Sequence, residues 1–145
     1  MEAYEITSHQ KNYNEVVERT NKFWEILCDT AAKTNFAQVL PLNKVQGLGT
    51  LFGYKVTFQE RPCVVDGSIK AMKVTFFLEY FEVGDEDMTK PKFAELTSIY
   101  ILKGGLVQKE IDSKDYLTDI DSYDAANTIA PIIVSAALNS SLLQP

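Results

Sequence analysis

An α+β fold is predicted for this 145-residue chain, and three features of the sequence predict it. A long stretch near the N-terminus spaces its apolar residues as a helix does. The middle alternates apolar and polar residues between turn signals, as sheet strands do. The last 21 residues, "AANTIAPIIVSAALNSSLLQP", carry no charged side chain, which marks a helix buried all round.

The first element spans about residues 12–34. Tyr13, Val16, Val17, Thr20, Phe23, Trp24, Leu27, Cys28 and Ala31 follow helical spacing for five turns. Asn12, with Glu15 three residues on, has the pattern of a capping box. Strands are expected at about 49–60, 68–83, 92–103 and 106–111, forming an antiparallel sheet of four or more strands. In the first, Phe52, Tyr54, Val56 and Phe58 share a face; in the second, Val74, Phe76, Leu78 and Tyr80 do.

Asp66-Gly67 signals a hairpin between these two strands. A plain two-residue loop would pair residues whose numbers sum to an odd value, setting one apolar face against the wrong side of its partner. Parity requires a three-residue loop from Val65 to Gly67, or a bulge at Arg61 and Pro62.

Two strands lack a clean wet face. Thr75, Phe77, Glu79, Phe81 and Val83 make a half-apolar second face on one. In the other, Leu96, Tyr100 and Leu102 oppose Phe93, Ile99 and Ile101. Such strands predict a sheet covered on both sides, by the N-terminal helix on one and by the C-terminal segment with a subunit contact on the other. That last helix is expected at about 122–143, capped by Asp121 or Ser122 and kinked or restarted at Pro131. No linker or repeat divides the chain, so residues 1–145 are expected to form a single domain.

Composition narrows the function. A net charge of −6, with Arg19 and Arg61 the only arginines, argues against nucleic acid. The compact apolar run from Ile129 to Leu138 is too short to span a bilayer and has no Lys or Arg flanks, so no membrane partner is expected. No basic, apolar leader opens the sequence, and a cytoplasmic location is the expectation. Cys28 and Cys63 are read as buried thiols.

His9 is the only histidine, which removes most catalytic triads and most zinc sites. Gly47, Gly49 and Gly53 lack the setting of a phosphate-binding loop. Eleven of the twenty acids fall in two windows, Glu79 to Asp87 and Glu110 to Asp124. "DIDSYD" lacks the central Gly and terminal Glu of a calcium loop, so the acids are read as solvated loops and helix caps.

No enzyme, cofactor or metal is therefore expected. The expected function is that of a non-catalytic interaction or assembly module, like a chaperone, a neutralising partner or a structural subunit. Its partner would be itself, as a homo-oligomer, or another protein. Candidate interface residues are Phe77, Phe81, Val83, Ile99, Ile101, Ile132, Ile133, Leu138 and Leu142. One alternative is a small-ligand domain whose apolar pocket is lined by Trp24, Phe58, Phe76, Tyr80 and Tyr100. A less favoured one is an enzyme that uses carboxylates, with or without a metal.

Overall fold

The helical stripe of the N-terminal segment forms a longer helix than its apolar spacing implies. The computed structural model describes residues 1–32, 49–82, 90–122 and 124–145. Helix α1 covers Ala3–Ala32. It begins nine residues before Asn12, which is an interior helical residue and not a cap. The polar run from Glu5 to Lys11 has adequate helix propensity and simply continues the helix outward. Asn12 instead accepts a hydrogen bond from Lys103 Nζ at 3.1 Å. Val16, Thr20, Phe23, Trp24 and Leu27 are buried along one stripe, and the Thr20 hydroxyl is satisfied by the Val16 carbonyl at 2.7 Å. Tyr4 and Ile6 stand exposed on its first turns, and Met1 is exposed just before it.

The sheet is an antiparallel meander of six strands in chain order. These are β1 (Thr50–Leu51), β2 (Tyr54–Val65), β3 (Ser68–Tyr80), β4 (Lys92–Leu102), β5 (Leu106–Gln108) and β6 (Thr118–Asp119). The strand expected over 49–60 is split by a tight turn, because Phe52 and Gly53 both take positive φ, 52° and 88°. Phe52 is therefore exposed and not on the core face. β3 stops at Tyr80, and the strand expected over 106–111 ends at Gln108. Cys28 and Cys63 form no disulfide, and each is half-buried rather than fully so.

Hairpin parity is restored at neither of the two expected places. The loop has two residues, Asp66 at φ 52° and Gly67 at φ 80°, so Val65 pairs with Ser68. The ladder also runs unbroken through Pro62, which pairs with Met72. The extra residue is Lys70 on the partner strand: Val64 pairs with Ile69 but Cys63 pairs with Ala71. Beyond that bulge the even faces meet as required, with Phe58 opposite Phe76 and Val56 opposite Leu78.

A second bulge reverses part of β4. Phe76 pairs with Thr97, but Phe77 pairs with Glu95, leaving Leu96 extra. Phe93 is thereby turned to the face opposite Ile99 and Ile101, while Leu96 joins the core side.

Helix α2 (Ala125–Leu138) is shorter than the expected 122–143 and is followed by a 3-10 turn at Ser141–Leu143. Pro131 lies inside the helix and does not restart it. Asp124, not Asp121 or Ser122, occupies the N-cap position, and its carboxylate is engaged by Thr118 and Ser122 hydroxyls.

The layers differ from expectation. Val16, Phe23, Trp24 and Leu27 of α1 share one core with Ile129, Ile133 and Ala137 of α2 and with Met72, Val74, Phe76 and Leu78 of β3. Both helices therefore lie on the same side of the sheet. The C-terminal segment follows α1 because α2 is apolar enough to bury against a helix as well as a strand face.

Candidate functional site

Cross-strand partners share a face, so the register shows what occupies the side away from the helices. Lys55, Glu79 and Phe93 form its first row, and Thr57, Phe77 and Glu95 its second. Gln59, Thr75 and Ser98 form the third, and Arg61, Lys73 and Tyr100 the fourth. Cys63, Ala71 and Leu102 close it. Among the described residues no helix packs on this side. Phe93 is 53% exposed, Phe81 just beyond β3 is 47% exposed, and Phe77 is half-buried with its ring edge-on to Phe93 at 6.2 Å between centroids. Thr75 and Ala71 are short side chains buried below longer neighbours.

The polar groups of this face are sorted along the strands. Glu79 lies 3.9 Å from Lys55 in the first row, and Glu95 stands exposed in the second. The third row is neutral. In the fourth, Arg61 and Lys73 lie directly opposite one another, a pairing that like charges make unfavourable. Lys73 Nζ leans over the Tyr100 ring, 5.8 Å from its centroid, which offsets part of that repulsion. Gln108 continues the row beside Tyr100; it is 6% exposed and its Oε1 has no hydrogen-bond partner.

The expected interface residues are not brought together. Phe77 is at the helix-free side and Phe81 is exposed just beyond β3, whereas Ile99, Ile101 and Ile133 are wholly buried in the chain's own core and unavailable to a partner. Ile132 and Leu142 pack partly against that core, and Leu138 is exposed at the end of α2 across the sheet. Val83 lies outside the described residues. Glu95 and Phe93 escape strand alternation because the bulge at Leu96 interrupts it, whereas Lys73 and Arg61 follow the alternation of β3 and β2. The bulge does leave a sequence signal: apolar parity in β4 changes from even at Leu96 to odd at Ile99 and Ile101, across the polar pair Thr97-Ser98.

The aromatics expected to line a pocket separate as well. Trp24 packs on Phe58 at 4.6 Å and on Phe76 at 6.0 Å between centroids, filling the core, while Tyr100 lies on the other face. Among the described residues, no group of three or more His, Cys, Asp or Glu side chains is arranged to hold a metal, and no helix is long and apolar enough to cross a membrane. Comparisons with protein-family models, curated proteins and solved structures give no match.

Among the described residues, the environment of one carboxylate, Asp121, favours its charged form. The Lys22 ammonium, hydrogen-bonded at 2.5 Å, holds Asp121 below the ordinary aspartate range, with a smaller pull from Arg19. A depressed pKa means that the pair stabilises the folded chain above the unfolded-state pKa and loses that contribution as pH falls through the folded value. The pair is solvent-exposed, so its effect on stability is small. A carboxyl-carbon NMR titration is expected to place Asp121 below the ordinary aspartate range. Lys22→Met should return it to the normal range; an unchanged value would show that the contact does not persist in solution.

Proposed function

We propose that this chain is a non-catalytic protein–protein interaction or assembly module whose interface is the helix-free face of its sheet. One observation carries the reading: Phe77 and Phe93 lie edge to face on a side that neither helix covers, although a second layer is the usual fate of such a face. Burying a phenylalanine is worth about 1.5–3 kcal/mol, so closing this face against a partner is favourable. The C-terminal helix packs into the core on the opposite side of the sheet, so its exposed Leu138 is not part of this interface.

Site-specific photocrosslinking in the producing cell tests the reading. A benzophenone side chain at Phe93 is expected to give a discrete protein adduct, and one at the exposed Glu25 of α1 is not. Equal labelling at both positions, or none at Phe93, would overturn it.

A further inference from the structure

We infer that the occupant of the helix-free face is a second copy of this chain, stacked sheet on sheet about a two-fold axis through the Gln59–Thr75–Ser98 row. The inference rests on the interface reading above and adds the identity of the partner.

The charge pattern selects both the partner and the axis. Along the strands the face runs from a row in which Glu79 and Lys55 offset one another, through Glu95 and a neutral row, to the cations Lys73 and Arg61. A two-fold axis lying between the sheets and perpendicular to the strands turns each row onto its opposite number, so the pattern is complementary to itself. Self-complementarity of one patch is what an isologous dimer requires. Glu95 of one copy then lies over Tyr100 of the other, where Lys73 Nζ is already held above the ring. Glu79 lies over Ala71, Lys55 over Cys63, and Phe93 over Leu102. The alternative axis, parallel to the strands, would set Lys73 on Lys73 and Glu79 on Glu79, and like charges reject it.

The middle of the patch suits this arrangement. Thr75 and Ser98 hydrogen-bond one another at 2.9 Å between their hydroxyl oxygens, so one O–H donor and one acceptor are already satisfied within the chain. Their small size lets the sheets approach along the axis. Lys73, whose opposition to Arg61 is unfavourable in the single chain, acquires the Glu95 carboxylate of the other copy. Five rows of three strands cover about 27 Å by roughly 15 Å, a footprint well below the roughly 800 Å² that each partner buries in a standard interface. Association is therefore expected in the micromolar range and not as an obligate dimer.

Sedimentation equilibrium of the purified chain, from low micromolar to near-millimolar concentration, is the test. The mass should rise from 16.3 kDa towards twice that value. Lys73→Glu and Glu95→Lys should each weaken self-association by about tenfold or more, because each places like charges at both symmetry-related contacts. A one-to-one mixture of the two variants should recover association, since every contact in the mixed dimer is again between opposite charges. The double variant K73E/E95K should recover it within one chain, which keeps the test decisive if one single variant folds poorly.

A wild-type chain that stays monomeric throughout, or a dimer indifferent to Glu95→Lys, would overturn the inference. A monomer whose Phe93 position crosslinks to a different protein would overturn the second copy as partner while leaving the interface reading in place.

Discussion

Trp24→Ala is expected to destabilise the chain by about 3–5 kcal/mol, the usual cost of removing a large buried aromatic. Trp24 is 2% exposed and is where the helix layer meets the sheet. Its ring lies against Phe23 at 5.4 Å, Phe58 at 4.6 Å and Phe76 at 6.0 Å between centroids, so alanine leaves a cavity walled by three aromatics. The indole N–H also donates to Glu60 Oε1 at 2.6 Å. Trp24→Phe separates the two contributions: it keeps most of the packing, withdraws that donor from the carboxylate, and should cost about 1–3 kcal/mol. With domains of this size stable by only about 5–15 kcal/mol, the alanine variant should show a much lower urea midpoint with little change in slope. A midpoint within error of wild type would mean that Trp24 does not join the layers as described.

Deleting Lys70 should be at least as damaging, whereas Lys70→Ala should be nearly silent. The side chain is exposed, and surface substitutions of this sort change stability by about 0.5 kcal/mol or less. The backbone position is another matter. Lys70 is the extra residue that lets a two-residue Asp66-Gly67 turn coexist with Phe58 opposite Phe76. Without it, keeping the turn moves Met72, Val74, Phe76 and Leu78 to the wrong side relative to β2. Each of those side chains is worth about 1.5–3 kcal/mol when buried, so the chain must either abandon the turn or fail to fold. Thermal unfolding followed by circular dichroism distinguishes the two variants; a deletion as stable as the substitution would show that the bulge carries no register information.

Several elements are legible in the amino-acid sequence. α1 is readable from Val16, Phe23, Trp24 and Leu27, because a stripe of large apolar residues at helical spacing has few other folded solutions. Its true start is not, because the run from Glu5 to Lys11 has no period and depends only on propensity and outward propagation. The need for a parity change between β2 and β3 is also readable. Its location is not, since a bulge at any point of either strand satisfies the same constraint, and the local signal at Pro62 points to the wrong residue.

For the candidate site the division is sharper. Alternation alone marks Phe77 and Phe81 as residues in need of cover. The same alternation groups Phe93 with Ile99 and Ile101, which is the wrong face, because one unpaired residue at Leu96 inverts everything before it in the strand. Ile99, Ile101 and Ile133 have the apolar character of interface residues, yet they belong to the interior.

Local periodicity and composition suffice for the kind of elements, their approximate order, the acidic balance, and the surplus of apolar surface over what one sheet face absorbs. Each of these is a property of neighbouring residues or of the chain as a sum. The side of the sheet that each helix takes, and hence which aromatics stay uncovered, is settled only in the folded chain. An amphipathic strand states that both of its faces are partly apolar. Which face a distant helix reaches depends on bulges, twist and the packing of α2 against α1, all of them contacts between residues far apart in the chain.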